Sequence, residues 1–463
     1  MGDSELRHRA CGPARLLVLA AAALLVLPGA LPAGEVLGER LSVLDNGTLR
    51  IGMDLNRGGA VTLLEAKDHP GNLINSYDYG RQIQMSVYSG PMPFTPNGKQ
   101  PRPAWRGLGW NPIQTGDCFG RPSQVLESGN DGSELYLKLI PMQWPLDNEP
   151  GECTFETWTR LDGPCVHMRF RVTNHRADRT QYPARSQELP AVYTIAALHR
   201  LFSYTGEHPF AAEALSELHN DWTKPWPWTR WLATEGWSAL VGDDDWGIAV
   251  VRAEGCAFNG GLYRDPGSRD VHGASTGYLA PVEIETLDHD IVYDHACALV
   301  VGPLAAIRTR CCALAAALAQ LPSWRFAGAS RQHWHVEGAD DGGLPMTGGW
   351  RILLGEHAPR LVSPSRCWPA AAAPQLSITL SWSGPPSVGR VFWRRADADA
   401  LDARRSVALP LVADGQPHTY RIDLAGAAEY RGLISGLAID PLGEAHPGAE
   451  LVVQAIELGA RDR

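Results

Sequence analysis

Two glutamates in the 463-residue chain sit among residue types that suit acid/base chemistry. Glu188 lies in SQELPAVY, with Gln187 beside it to hydrogen-bond a hydroxyl and Pro190 to stiffen the segment. A carboxyl on a rigid, aromatic-rich segment can have its pKa raised by partial burial. Glu235 lies in ATEGWSALV, within a run that also holds Trp222, Trp226, Trp228, Trp231 and Trp237. Two carboxyls several ångströms apart are the usual equipment for cleaving a glycosidic bond. Asp78 and Arg81 form a third group in NLINSYDYGRQIQMSVY, together with Asn75, Gln82 and Gln84. The planar fork of Arg81 can grip a carboxylate or vicinal hydroxyls, or simply pair with Asp78. Tyr278 in STGYLAP can carry a proton in a β-elimination, with Arg81 neutralising a uronate. Each group also has a structural reading. Glu188 can sit near a helix start, the tryptophans can fill a seam between sheets, and the Asp78–Arg81 pair can be local.

The elements that position these groups read as strands. From Arg81 the pattern has period two: Ile83, Met85 and Val87 point one way, and Gln82, Gln84, Ser86 and Tyr88 the other. One face is core, and the other offers amide, hydroxyl and phenol groups that suit a hydroxyl-covered ligand. LSVLDNGTLRIGMDL predicts a hairpin turning at Asn46-Gly47. ELYLKLIPM, VHMRFRVTN and IVYDHACALVVG are further strands. Two helical passages are expected, a short one within Ala196 to Leu218 and a longer one from Pro303 to Leu321. Pro225 and Pro227 alternate with Trp226 and Trp228, so these two indoles can share one side of an extended segment as a platform for sugar stacking. Beyond Pro322 composition shifts and six or more short strands follow, which predicts a separate β-sandwich. The fold class expected is all-β: a large antiparallel β-supersandwich over 35–321 with a closing helix, then a smaller jelly-roll sandwich over 322–463.

Residues 1–33 read as an export signal: Arg7, Arg9 and Arg15 precede the apolar run Leu16 to Leu27, which is short for a membrane span. A secreted or periplasmic protein is expected, with no membrane association once the signal is removed. Net charge is -10, from 41 basic and 51 acidic residues, and no basic block suggests nucleic-acid binding. Eight cysteines follow the signal, and Cys153 and Cys165 flank a predicted hairpin, which makes them the first pair to consider for a disulfide, with reduced core cysteines as the alternative in a domain large enough to need no staples. No metal site or cofactor is expected: His333-x-His335 is too short a pattern to argue one, and no phosphate loop or dinucleotide fingerprint occurs. The acidic turns at Asp243–Asp245 and Asp340-Asp341 read as solvated, with calcium as the alternative. Tryptophan is in excess, 16 against 12 Tyr and 9 Phe, which favours carbohydrate contact.

GGAVTLLEAKDHPGNLINSYDYGRQIQ and CTFETWTRLDGPCVHMRFRVTN resemble the opening and central strands of the galactose-mutarotase-like superfamily, which holds aldose epimerases, glycosidases and polysaccharide lyases. The resemblance covers about 35 to 305 and implies a supersandwich with a saccharide site on its hollow face. The chain departs from the epimerases in its histidines: the early region has only His69, and His175 is followed by Arg176. DGQPHTYRIDL and GLISGLAIDP in the tail are similar to carbohydrate-binding jelly rolls. Together these readings predict an exported protein that binds an oligo- or polysaccharide and cleaves it with Glu188, Glu235 and Asp78. Asn75, Arg81, Gln82, Gln84, Gln187, Trp226, Trp228 and Tyr278 would be its substrate contacts. The alternatives are a non-catalytic glycan binder and a mutarotase or epimerase acting on a free sugar.

Overall fold

Gly47 takes a positive φ of 79°, which a two-residue hairpin turn requires, and the flanking strands Leu41–Asp45 and Leu49–Asp54 pair as the sequence predicts. The computed structural model describes residues 39–220 and 228–460. Among them the architecture is all-β and antiparallel, built as two sandwiches in series.

The first sandwich has a front sheet of ten strands and a back sheet of nine. The front sheet runs Leu41–Asp45, Leu49–Asp54, Ala60–Ala66, Ile83–Ser86, Arg185–Ile195, Thr276–Glu285, Ala257–Tyr263 and Thr229–Leu232, with two short strands off this path. The central strands of the back sheet are Trp246–Val251, Val292–Pro303, Cys165–Asn174 and Cys153–Asp162. Alternate residues of both sheets bury one shared core, including Ile83, Met85, Val87, Val192, Leu279, Phe170 and Leu299. From Ile83 to Tyr88 the expected faces are the observed ones: Ile83, Met85 and Val87 enter the shared core, and Gln84, Ser86 and Tyr88 line the opposite face, which is also buried. The helix Leu304–Leu314, capped by Pro303, lays Ile307 and Cys311 on the far side of the back sheet.

The other predicted helix is absent. Within Ala196 to Leu218 the chain instead forms the strands Arg200–Ser203 and Ser216–Leu218, which pair with each other. Arg200–Ser203 is also laddered to Trp237–Val241. Pairing on both edges outweighs a weak local helical spacing. Cys153 and Cys165 are also not partners. They stand at opposite ends of one hairpin, opposite Asn174 and Asp162 respectively, and all eight described cysteines are free thiols. In the acidic turn, Asp243, Asp244 and Asp245 each face a basic side chain, from His199, His69 and Arg200. No cluster of metal-ligating side chains occurs among the described residues. None of the described helices is long and apolar enough to cross a membrane.

The second sandwich, from Ser323 to Gly459, has two six-stranded sheets. Trp324, Trp334, Trp350, Trp368, Trp382 and Trp393 all turn into its core. The tryptophan excess thus goes mainly into packing; among the described tryptophans only Trp158 is not buried.

Charged residues join the two sandwiches. Arg331 of the second is bonded to Asp288 of the first and to Asp341 of its own, with all three side chains buried. Gln181 bonds both aspartates, at 3.1 and 2.8 Å. His333 reaches Glu285 and Glu254 of the first sandwich. Burial pushes the His333 imidazole down, but the two carboxylates outweigh it and carry its pKa up to about 10. Removing the shared cation would strand two buried carboxylates. Arg331→Met is expected to cost about 3–5 kcal/mol and to split calorimetric unfolding into two transitions. Arg331→Lys should recover only part, because a point charge cannot fork between two carboxylates.

Candidate functional site

Pro190 stands in the middle of the central strand Arg185–Ile195, where it has no N–H for the ladder. The strand responds with a bulge between Glu188 and Val192, opposite both neighbouring strands. Glu188 and Tyr193 are five residues apart, so a regular strand would put them on opposite faces. One extra residue changes the parity. Leu189 and Val192 enter the core, while Glu188 and Tyr193 line the same pocket on the outer face of the front sheet.

The Glu188 carboxyl is 3 % exposed. Burial raises its pKa to about 7, against 4.5 for an ordinary glutamate. Its neighbours are neutral donors: Tyr88 Oη donates to Oε2 and Asn259 Nδ2 to Oε1, both at 3.4 Å. The Tyr278 hydroxyl is a third neutral donor at this carboxyl and, of the three, draws its pKa back down the most.

Aromatic rings wall this face. Tyr193 and Tyr278 are cross-strand partners with ring centroids 4.6 Å apart, and Trp228 packs on Tyr278 at 4.9 Å. Gly261, directly across from Tyr278 on the next strand, adds no side chain to this face. The pocket, also lined by Gln84, Ser86, Tyr88 and Trp144, has a cavity of about 10 Å³, room for roughly one water.

Several predicted contacts are engaged elsewhere. Asn75 spends its amide on the carbonyls of Gly273 and Ser275, at 2.9 and 3.1 Å. Arg81 Nη1 donates to the Ala274 carbonyl at 2.8 Å, and its guanidinium lies over the Tyr77 ring. Gln82 and Gln84 are fully buried and bond backbone carbonyls of the 78–81 loop, with Thr115 at their other ends. Gln187 clamps the Tyr88 backbone through both ends of its amide, at 2.8 and 2.7 Å. These groups build the site's frame; Gln84 also reaches its lining. Asp78 accepts from Gly80 N at 2.9 Å and lies 4.0 Å from Arg81, and burial raises its pKa. Burial does most to raise the Tyr193 pKa, and Glu188 and, more weakly, Asp78 add to it, so both carboxyls lie within electrostatic reach of one phenol.

Glu235 does not join them. It is fully buried and accepts from Arg308 at 2.8 and 3.2 Å, from Phe210 N and from Trp237 Nε1. Arg308 belongs to the helix on the back sheet, so this glutamate ties that helix down and leaves the pairing expected with Glu188 without support. Trp226 lies outside the described residues. Sequence reasoning missed Tyr193 and Asn259 as neighbours of the carboxyl. A proline inside a strand pattern was the available signal for Tyr193; Asn259 had none.

No protein-family model matches the chain, and no curated protein matches it in sequence. Several solved structures are similar. A galactose mutarotase-like protein from Lactobacillus casei is 12% identical, covering 57% of this chain and 100% of its own, with a TM-score of 0.36. The Slr1438 protein from Synechocystis is 13% identical, covering 60% and 99%, with a TM-score of 0.37. A low affinity xylan binding module, CBM86, from Roseburia intestinalis is 10% identical, covering 31% and 96%, with a TM-score of 0.23.

The Glu188 environment sets a pH signature. Its folded pKa, about 7, lies above the ordinary 4.5, so the folded chain holds this proton more tightly than the unfolded one. The group's favourable contribution is complete below about pH 4.5 and fades as pH rises through 7, by on the order of 3 kcal/mol. Glu188→Gln is expected to lack that slope when melting temperature is followed against pH; parallel curves would place the carboxyl in water. Tyr278→Phe removes a donor to the ionised carboxyl, so the Glu188 pKa should rise further and the fall in melting temperature should move to higher pH.

Proposed function

We propose that the chain is a carbohydrate-active protein that seats a saccharide on the outer face of the front sheet, with Glu188 exchanging a proton with it. The observation that carries this reading is a buried carboxyl of pKa about 7, flanked by phenols and an amide on an aromatic wall. Near neutral pH both its forms are populated, so it can serve as general acid or general base. Rings such as Tyr193 and Trp228 suit the C–H faces of a sugar, and its hydroxyls could bond with the phenols around the carboxyl. With Glu235 held by Arg308, Asp78 is the remaining companion carboxyl. The reaction favoured is proton transfer at a ring or glycosidic oxygen, covering both cleavage and anomer exchange. Export to the periplasm or medium belongs to the same proposal, and sequencing the mature N-terminus after fractionation reads it out.

One observation favours binding without turnover: the pocket has room for about one water and none for a sugar ring. Under that reading the saccharide rests on the rim and the carboxyl only accepts a hydrogen bond.

The two are separated by incubating wild type and Glu188→Gln with an oligosaccharide and free-sugar panel. The readouts are reducing ends, absorbance of unsaturated uronates, and anomer exchange by NMR. Turnover should be present in wild type and fall at least about 100-fold in the variant. Retention on a glycan array with no turnover in either protein would leave the binding reading. No retention and no turnover would end both.

A further inference from the structure

Cys256 and Cys367 come from different sandwiches and meet at their junction, with the sulfurs 3.2 Å apart. Cys256 precedes the front-sheet strand Ala257–Tyr263; Cys367 precedes the short strand Trp368–Pro369 of the second sandwich. Among the described residues no other two cysteine sulfurs share a contact of this kind. The backbones around them are already joined: Cys256 N donates to the Ser365 carbonyl at 3.0 Å, and Cys256 Sγ points at the same oxygen at 3.1 Å. Leu433 completes a small apolar cluster, with Leu232 and Ala396 packed against it. The two thiols are 1 % and 8 % exposed. A disulfide bond is about 2.05 Å long, so roughly 1.1 Å of approach is needed, within reach of side-chain rotation.

We propose that Cys256 and Cys367 form a disulfide that fastens the second sandwich to the front sheet, with a small-molecule disulfide of the glutathione type as oxidant. Cys367, the more exposed thiol, attacks one sulfur of oxidised glutathione as its thiolate. A mixed disulfide forms and one glutathione thiolate leaves. The Cys256 thiolate then attacks the Cys367 sulfur and expels the second glutathione. Two electrons pass to the oxidant, two protons leave the protein, and two reduced glutathiones result. The hydrogen bond with the Cys367 thiol and then burial hold the Cys256 pKa well above the ordinary value, so exchange in the folded chain is slow and is fastest while the sandwiches dock. The cross-link closes a loop whose ends are 111 residues apart in sequence. Constraining a loop of that length restricts the unfolded chain strongly. This inference is independent of what the Glu188 site does.

The test uses the full chain, refolded or incubated with oxidised glutathione. Free thiols are then alkylated, and the protein is digested without reduction for mass spectrometry. The expected result is a linked peptide pair containing Cys256 and Cys367, lighter by two hydrogens than the separate peptides, with the other described cysteines alkylated. Reductant should lower the melting temperature by several degrees in wild type, and by no more than background in Cys256→Ser and Cys367→Ser. Recovery of both cysteines alkylated after oxidation, or each capped by glutathione, overturns the proposal. So does a different pairing. The wild-type digest decides the matter even if a serine variant fails to fold.

Discussion

One backbone irregularity decides where the chemistry of this fold can lie. Pro190 denies its strand a regular ladder, and the added residue turns Glu188 and Tyr193 onto one face. The strand Arg185–Ile195 lies at the centre of the front sheet, so its shift is transmitted to both neighbours. Gln187 answers on one side by clamping the Tyr88 backbone, which brings the Tyr88 phenol to Glu188. On the other side Tyr278 comes opposite Tyr193. The dense amides before it, Asn75, Gln82 and Gln84, fix the loop that leads into this arrangement.

Buried charge is treated in two contrasting ways. Glu235 is enclosed with a guanidinium, and Arg331 lies between two aspartates; these groups are spent on holding a helix and a domain junction. Glu188 is enclosed with neutral donors only, and its ionised form is correspondingly disfavoured. The same side chain, equally buried, is a structural tie in one place and a proton reservoir in the other. The difference is the nature of its partners, not the depth of burial.

That distinction explains what was legible in the sequence. Faces of strands were legible, because Ile83, Met85 and Val87 alternate with Gln84, Ser86 and Tyr88 and the ladder enforces that period. Glu188 was legible as a carboxyl near proline and aromatics. Glu235 misled because its tryptophan neighbours are local, whereas Arg308, 73 residues away, decides its role. The frame amides misled similarly: Asn75 meets carbonyls nearly 200 residues away. The Arg200–Ser203 strand was hidden because its partner strands, not its own residues, select its conformation. Partners distant in sequence were invisible throughout, and the domain junction is built from such pairs.

The second sandwich has turned its tryptophans inward, and the large apolar side chains it exposes, Leu353, Val388 and Val412, are aliphatic. Among the described residues its indoles are therefore committed to packing, and a change in their emission would report this sandwich opening.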